Sequence, residues 1–167
     1  MKKWFTLIEF VIYIGIAGTA LVVTGAIGLN ILFGKAKLGA VGEVSYNARF
    51  AMEKISERVR NAQAINSPAI GTSGTSLSLK MADTRKNPTV FDVVNNRIRI
   101  KEGSSGIPTE LISDETNVAS LLFSNVSYVN TPGAVRVELS LEHVNLSGRP
   151  EYNASGTFYT NANIRKK

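Results

Sequence analysis

A single carboxylate stands inside a long apolar run near the start of this chain. Between residues 4 and 33, Glu9 is the only Asp, Glu, Lys, Arg or His. The run exceeds the roughly 20 residues that a membrane-spanning helix needs. A carboxylate at bilayer depth costs up to about 3 kcal/mol, and a buried charge of this kind normally has a partner. Lys2 and Lys3 precede the run, and no small-residue cleavage pattern follows it. That arrangement differs from a secretory signal, which has a longer basic region and a cleavage site behind the apolar core. On composition alone the segment reads as an uncleaved anchor carrying a soluble domain.

The residues around the charge are more specific. Met1-Lys2-Lys3, one further residue, then Phe5-Thr6-Leu7-Ile8-Glu9 resembles the amino-terminal processing and methylation motif of type IV pilins and type II secretion pseudopilins. The resemblance implies that a prepilin peptidase cuts between Trp4 and Phe5 and methylates the new amino group of Phe5. It makes Glu9 the fifth mature residue, which in that family pairs with a mature amino terminus during filament assembly. It also implies the partners: other pilin or pseudopilin subunits, the peptidase, membrane lipid, and indirectly an assembly platform and its ATPase. The expected location is the bacterial cytoplasmic membrane, amino terminus inside and head outside, and then a filament or the cell surface. The family has Gly before the cut, where this chain has Trp4. Trp is also at home at a membrane–water interface, so a non-polymerising, single-pass anchored binding protein stands as the alternative.

Beyond Gly34 the character changes. Charged residues appear, and Val44, Ala48, Ala51, Ile55, Val59 and Ala62 recur at gaps of three and four. This spacing defines one helix face. Glu57 lies three residues before Arg60, within reach on a helix surface. A nearly continuous helix from about residue 5 to 65 is predicted, ended by Ser67-Pro68. The expected organisation is a basic leader (1–4), a transmembrane and assembly half-helix (5–33), an amphipathic half-helix (34–66) and a β-rich head (67–167). Within the first half, Ala20, Thr24 and Gly28 share a face. That suits close helix packing in lipid, and equally the ordinary abundance of small residues in membrane helices. With no Pro in this half, Gly15 and Gly18 are its weak points.

Residues 68–76 read as a Gly/Ser/Thr loop, after which the period becomes two. Asn95-Asn96 reads as a hairpin turn between residues 90–94 and 97–101. A short segment at 110–112, a strand within 118–129, an alternating strand from Val135 to Leu141 and a last strand at 157–164 follow. One long helix and then about six short strands, without βαβ alternation, point to an α+β fold with an antiparallel sheet. This is the pilin-like layout: a protruding amino-terminal helix packed by its second half on a sheet. Residues 47–60 also resemble the helix of minor pilins and J-type minor pseudopilins.

Chemistry is sparse. The chain has no cysteine and one histidine, His143, so Cys-ligated zinc and thiol catalysis are excluded. Asp114-Glu115, beside Ser113 and Thr116, are of a type that suits calcium, but are too few to make a site. No nucleotide or nucleophile-elbow fingerprint occurs, and no enzymatic activity, cofactor or metal is expected. The net charge is +6. Arg97, Arg99 and Lys101, with Lys80, Arg85 and Lys86, offer nonspecific phosphate contacts to DNA; the same charges also serve to solvate a sheet face.

Overall fold

The computed structural model describes residues 6–165. Among the described residues one α-helix, α1 (Leu7–Asn61), is followed by nine strands: β1 (Ala62–Ser67), β2 (Ser73–Gly74), β3 (Leu77–Met81), β4 (Thr89–Val94), β5 (Arg97–Glu102), β6 (Thr109–Glu110), β7 (Thr116–Asn125), β8 (Ala134–His143) and β9 (Ser155–Asn163), with short 3-10 turns at Thr84–Lys86 and Pro150–Tyr152. They form two antiparallel sheets, β1-β3-β4-β5-β6 and β2-β7-β8-β9. The expected α+β layout is present, with the strands divided between two sheets rather than gathered in one.

The stripe predicted from spacing is the face that packs. Val44, Ala48, Ala51, Ile55, Val59 and Ala62 are all buried. Their side chains meet inward-facing residues of both sheets, including Phe91, Ile98, Phe123 and Leu139, in one core. α1 lies across β8 and β9 and also touches β3 and β7. Ala40 is the first fully buried residue on the helix; Ala36 is half-buried and Lys37 still touches the head, so α1 leaves the head near residue 36.

Alternation fixes the strands. Ile98 and Ile100 of β5 point into the core while Arg97, Arg99 and Lys101 face outward. The β4–β5 hairpin pairs Val94 with Arg97. Its two turn residues, Asn95 (φ 52) and Asn96 (φ 59), are both left-handed, the conformation that a tight two-residue hairpin demands and Asn tolerates.

The helix ends earlier than the sequence suggests. Residues 62–64 carry good helix formers, yet Ala62–Ser67 is a strand paired with β3, with Ile65 opposite Leu79. Pairing with a distant strand satisfies the backbone groups that another helical turn would have satisfied, and tertiary context overrides propensity. The 68–76 loop contains one short strand, Ser73–Gly74, held by β7. β7 stops at Asn125, because the chain beyond it turns out into solvent, leaving Tyr128 and Val129 exposed.

Candidate functional site

Among the described residues, the projecting half of α1 packs against no other element of the head. Residues 7–33 are exposed throughout, and at 1.5 Å per residue they extend about 40 Å. This part of α1 is long and apolar enough to cross a membrane. A helix suits that medium because it satisfies every backbone group internally. The two threonine hydroxyls here do the same: Thr19 donates to Ile16 O (2.9 Å) and Thr24 to Ala20 O (2.7 Å).

Glu9 lies in the first turn of α1. Thr6 is the N-cap, in extended conformation, and its Oγ1 accepts the Glu9 N–H at 3.4 Å. A carboxylate in this turn is favourable toward the helix dipole, and Glu9 is exposed. The predicted processing residues Trp4 and Phe5 lie outside the described residues. On the small-residue face, a Cβ added to Gly28 would meet nothing within 4 Å, and the same holds at Gly15 and Gly18. α1 nevertheless continues through both without interruption.

Polar contacts hold the packed half to the head. Asn47, buried between Val44 and Ala48 on the packed face of α1, accepts the Ser113 N–H through Oδ1 at 2.9 Å. Its Nδ2 donates to Glu43 Oε1 at 2.7 Å, and Ser113 Oγ donates to the same Glu43 oxygen at 2.6 Å. These bonds, Ser113 first and Asn47 second, hold the Glu43 carboxyl below the ordinary glutamate range. Further along, Arg58 Nε donates to Glu102 Oε1 at 2.6 Å. Arg58 also pairs with Glu57, which takes Lys54 as well at 3.2 Å; the expected Glu57–Arg60 neighbours are not paired. Lys37 Nζ donates to Asn153 O at the end of the head nearest the apolar segment. None of these ties was anticipated. The one available signal was Asn47, a polar residue between Val44 and Ala48 on the core face.

The other candidate residues are dispersed. His143 stacks on Tyr152 (centroids 6.1 Å apart), and its Nδ1 is buried without a hydrogen-bond partner. Among the described residues no group of three or more His, Asp or Glu is placed to hold a metal; Asp114 is spent on Arg97 at 3.0 Å. The basic face is partly neutralised. Arg97 donates to the carbonyls of Ser113 and Thr116, Arg99 forks onto Asp92 (3.0 and 2.8 Å), and Arg85 pairs with Asp83. Lys80, Lys86 and Lys101 form no ion pair among the described residues. An apolar hollow of about 370 Å³ beneath the end of α1, lined by Ala62, Pro132, Ile164 and Arg165 among others, gathers no acid–base pair.

Comparison with protein-family models, with curated proteins and with solved structures finds no match to this chain.

Proposed function

We propose that this protein is a structural subunit of a filament, a minor pilin or pseudopilin of a type IV pilus, type II secretion or related competence machine. The observation that carries the reading is the exposed apolar half-helix, continuous with a half that is packed into the head, with Glu9 as its one charge. Such a rod serves first as a membrane anchor and then as the packing element between subunits. In the membrane the amino terminus faces the cytoplasm and the head lies outside. In the filament, Glu9 supplies the counter-charge for the amino terminus of a neighbour. A prepilin peptidase prepares the subunit, and an assembly platform with its ATPase inserts it.

Trp4 favours a second reading, a single-pass anchored binding protein that keeps its leader. Intact mass of the membrane form separates the two. Loss of residues 1–4 with one added methyl group supports the filament subunit. A complete, unmethylated chain supports the anchor.

A further inference from the structure

Three contacts along α1 define which end of the head faces the apolar rod. Near the helix C-terminus, Arg165 N donates to Arg60 O at 3.1 Å. Midway, a Cβ on Gly156 would lie 3.9 Å from Val44 Cγ1. Toward the other end, Lys37 Nζ donates to Asn153 O. β8 and β9 therefore run along the helix, and the connection between them, residues 144–154, is the end of the head closest to residues 7–33. Lys37 is about 6 Å along the axis from Phe33, the last residue of the apolar run.

This connection is a built turn. Asn145 Nδ2 donates to Arg149 O at 2.8 Å and to Asn153 Oδ1 at 2.6 Å. Ser147 Oγ donates to Asn145 Oδ1 at 3.1 Å, and Gly148 takes a left-handed φ of 66°. The turn holds Leu146 97% exposed, the highest value for any large apolar side chain among the described residues. Arg149 stands on the same turn, paired with Glu151 and over the Tyr152 ring at 5.6 Å. Lys35 and Lys37 stand on the adjoining turn of α1. Lys37 keeps donors to spare, since an ammonium has three. Asp114, Glu115 and Glu142 are exposed acidic groups on the strand ends behind the turn; Asp114 is paired with Arg97, Glu115 O accepts the Val144 N–H at 2.8 Å, and Glu142 lies opposite Ser155 at the end of β8.

We propose that this turn is a lipid-contact element. Leu146 enters the boundary between headgroups and acyl chains of an anionic bilayer, while Lys35, Lys37 and Arg149 face the lipid phosphates. Basic and apolar side chains presented together are what such an interface accepts. The contact sets the height and tilt of the head above the membrane. This inference rests on the reading of residues 7–33 as membrane-inserted.

Because the chain has no cysteine, single cysteines can carry a polarity-sensitive fluorophore. The full chain is inserted in phosphatidylcholine–phosphatidylglycerol vesicles containing lipid-borne quenchers. Labels are placed at Ser147→Cys, at Val22→Cys within the rod and at Val129→Cys at the opposite end of the head. The expected result is quenching at 147 by shallow quenchers, quenching at 22 by deep ones and none at 129. Leu146→Ser then lowers the docked population seen from position 147 about tenfold, the scale set by burying one leucine side chain. Quenching at 22 without quenching at 147 overturns the inference and leaves the membrane reading standing. No quenching at 22 removes the membrane reading and the inference with it. A signal at 147 that ignores lipid quenchers and grows with protein density assigns the turn to a neighbouring head and overturns lipid contact. Quenching at 147 that survives Leu146→Ser unchanged overturns the role of Leu146.

Discussion

Asn47 on α1 and Ser113 before β7 form the tie that seats the helix on the head: Asn47 Oδ1 accepts the Ser113 N–H at 2.9 Å, and Asn47 Nδ2 lies 3.1 Å from Ser113 Oγ. Asn47 is only 4% exposed. A buried amide there is stable because its bonds are made. Removing it leaves a backbone donor and the Glu43 carboxylate short of partners. Asn47→Ala is expected to destabilise the head by about 1–3 kcal/mol. Urea unfolding followed by circular dichroism measures this, and an unchanged midpoint would count against the tie.

The same cluster gives a pH dependence. Hydrogen bonds from Ser113 and then Asn47 lower the folded-state pKa of Glu43. In the interval below the ordinary glutamate value, the unfolded chain binds the proton more readily than the folded one, so stability rises with pH there. Glu43 thus contributes stability that is fully present above its unfolded pKa and lost as pH falls through its lowered folded value. Glu43→Gln is expected to flatten this part of the stability profile relative to the unsubstituted chain. Parallel profiles for the two proteins would contradict the assignment.

The helix stripe and the β4–β5 hairpin were legible because both are local. Val44, Ala48, Ala51, Ile55 and Val59 repeat at the helical period, and Asn95-Asn96 supplies the turn chemistry between alternating strands. The exit of α1 was not legible, since Ala62, Gln63 and Ala64 favour a helix by propensity and become a strand only through pairing with β3. β2 was hidden for a similar reason. Its two residues lie in a Gly/Ser/Thr stretch and pair with β7, where Ser73 Oγ meets Ser124 Oγ at 2.8 Å. The tie to Ser113 joins residues 66 positions apart, beyond any periodic pattern. For the candidate site, Glu9 was legible as an isolated charge in an apolar helix. Its proposed counter-charge belongs to another chain, and no intramolecular pattern contains it.

A chain beginning at Lys35 is expected to be soluble and folded, because every buried side chain on α1 lies at Ala40 or beyond. Circular dichroism should report both helix and sheet. In that background Ile55→Asp is expected to cost about 3 kcal/mol or more, since it places an unpaired carboxylate at a fully buried position. A truncated chain that aggregates without sheet signal would mean that the apolar half contributes to the head fold. An Ile55→Asp chain of unchanged stability would contradict the packing of the stripe.

Glu9 separates the two functional readings. Glu9→Ala removes the one formal charge of the exposed apolar segment, so insertion into a membrane is expected to be retained or improved. Helix formation is expected to persist, because the Thr6 cap uses the backbone N–H of residue 9 rather than its carboxylate. Assembly is expected to suffer nonetheless. In a filament core of low dielectric, an incoming amino terminus without its counter-charge loses far more than it would in water. Quantitative pull-down of sheared filaments, carrying tagged wild-type or Glu9→Ala protein at matched membrane levels, measures this. Depletion of the variant is the expected outcome. Equal recovery of both proteins would remove Glu9 from assembly, and recovery of neither would favour the non-polymerising anchor.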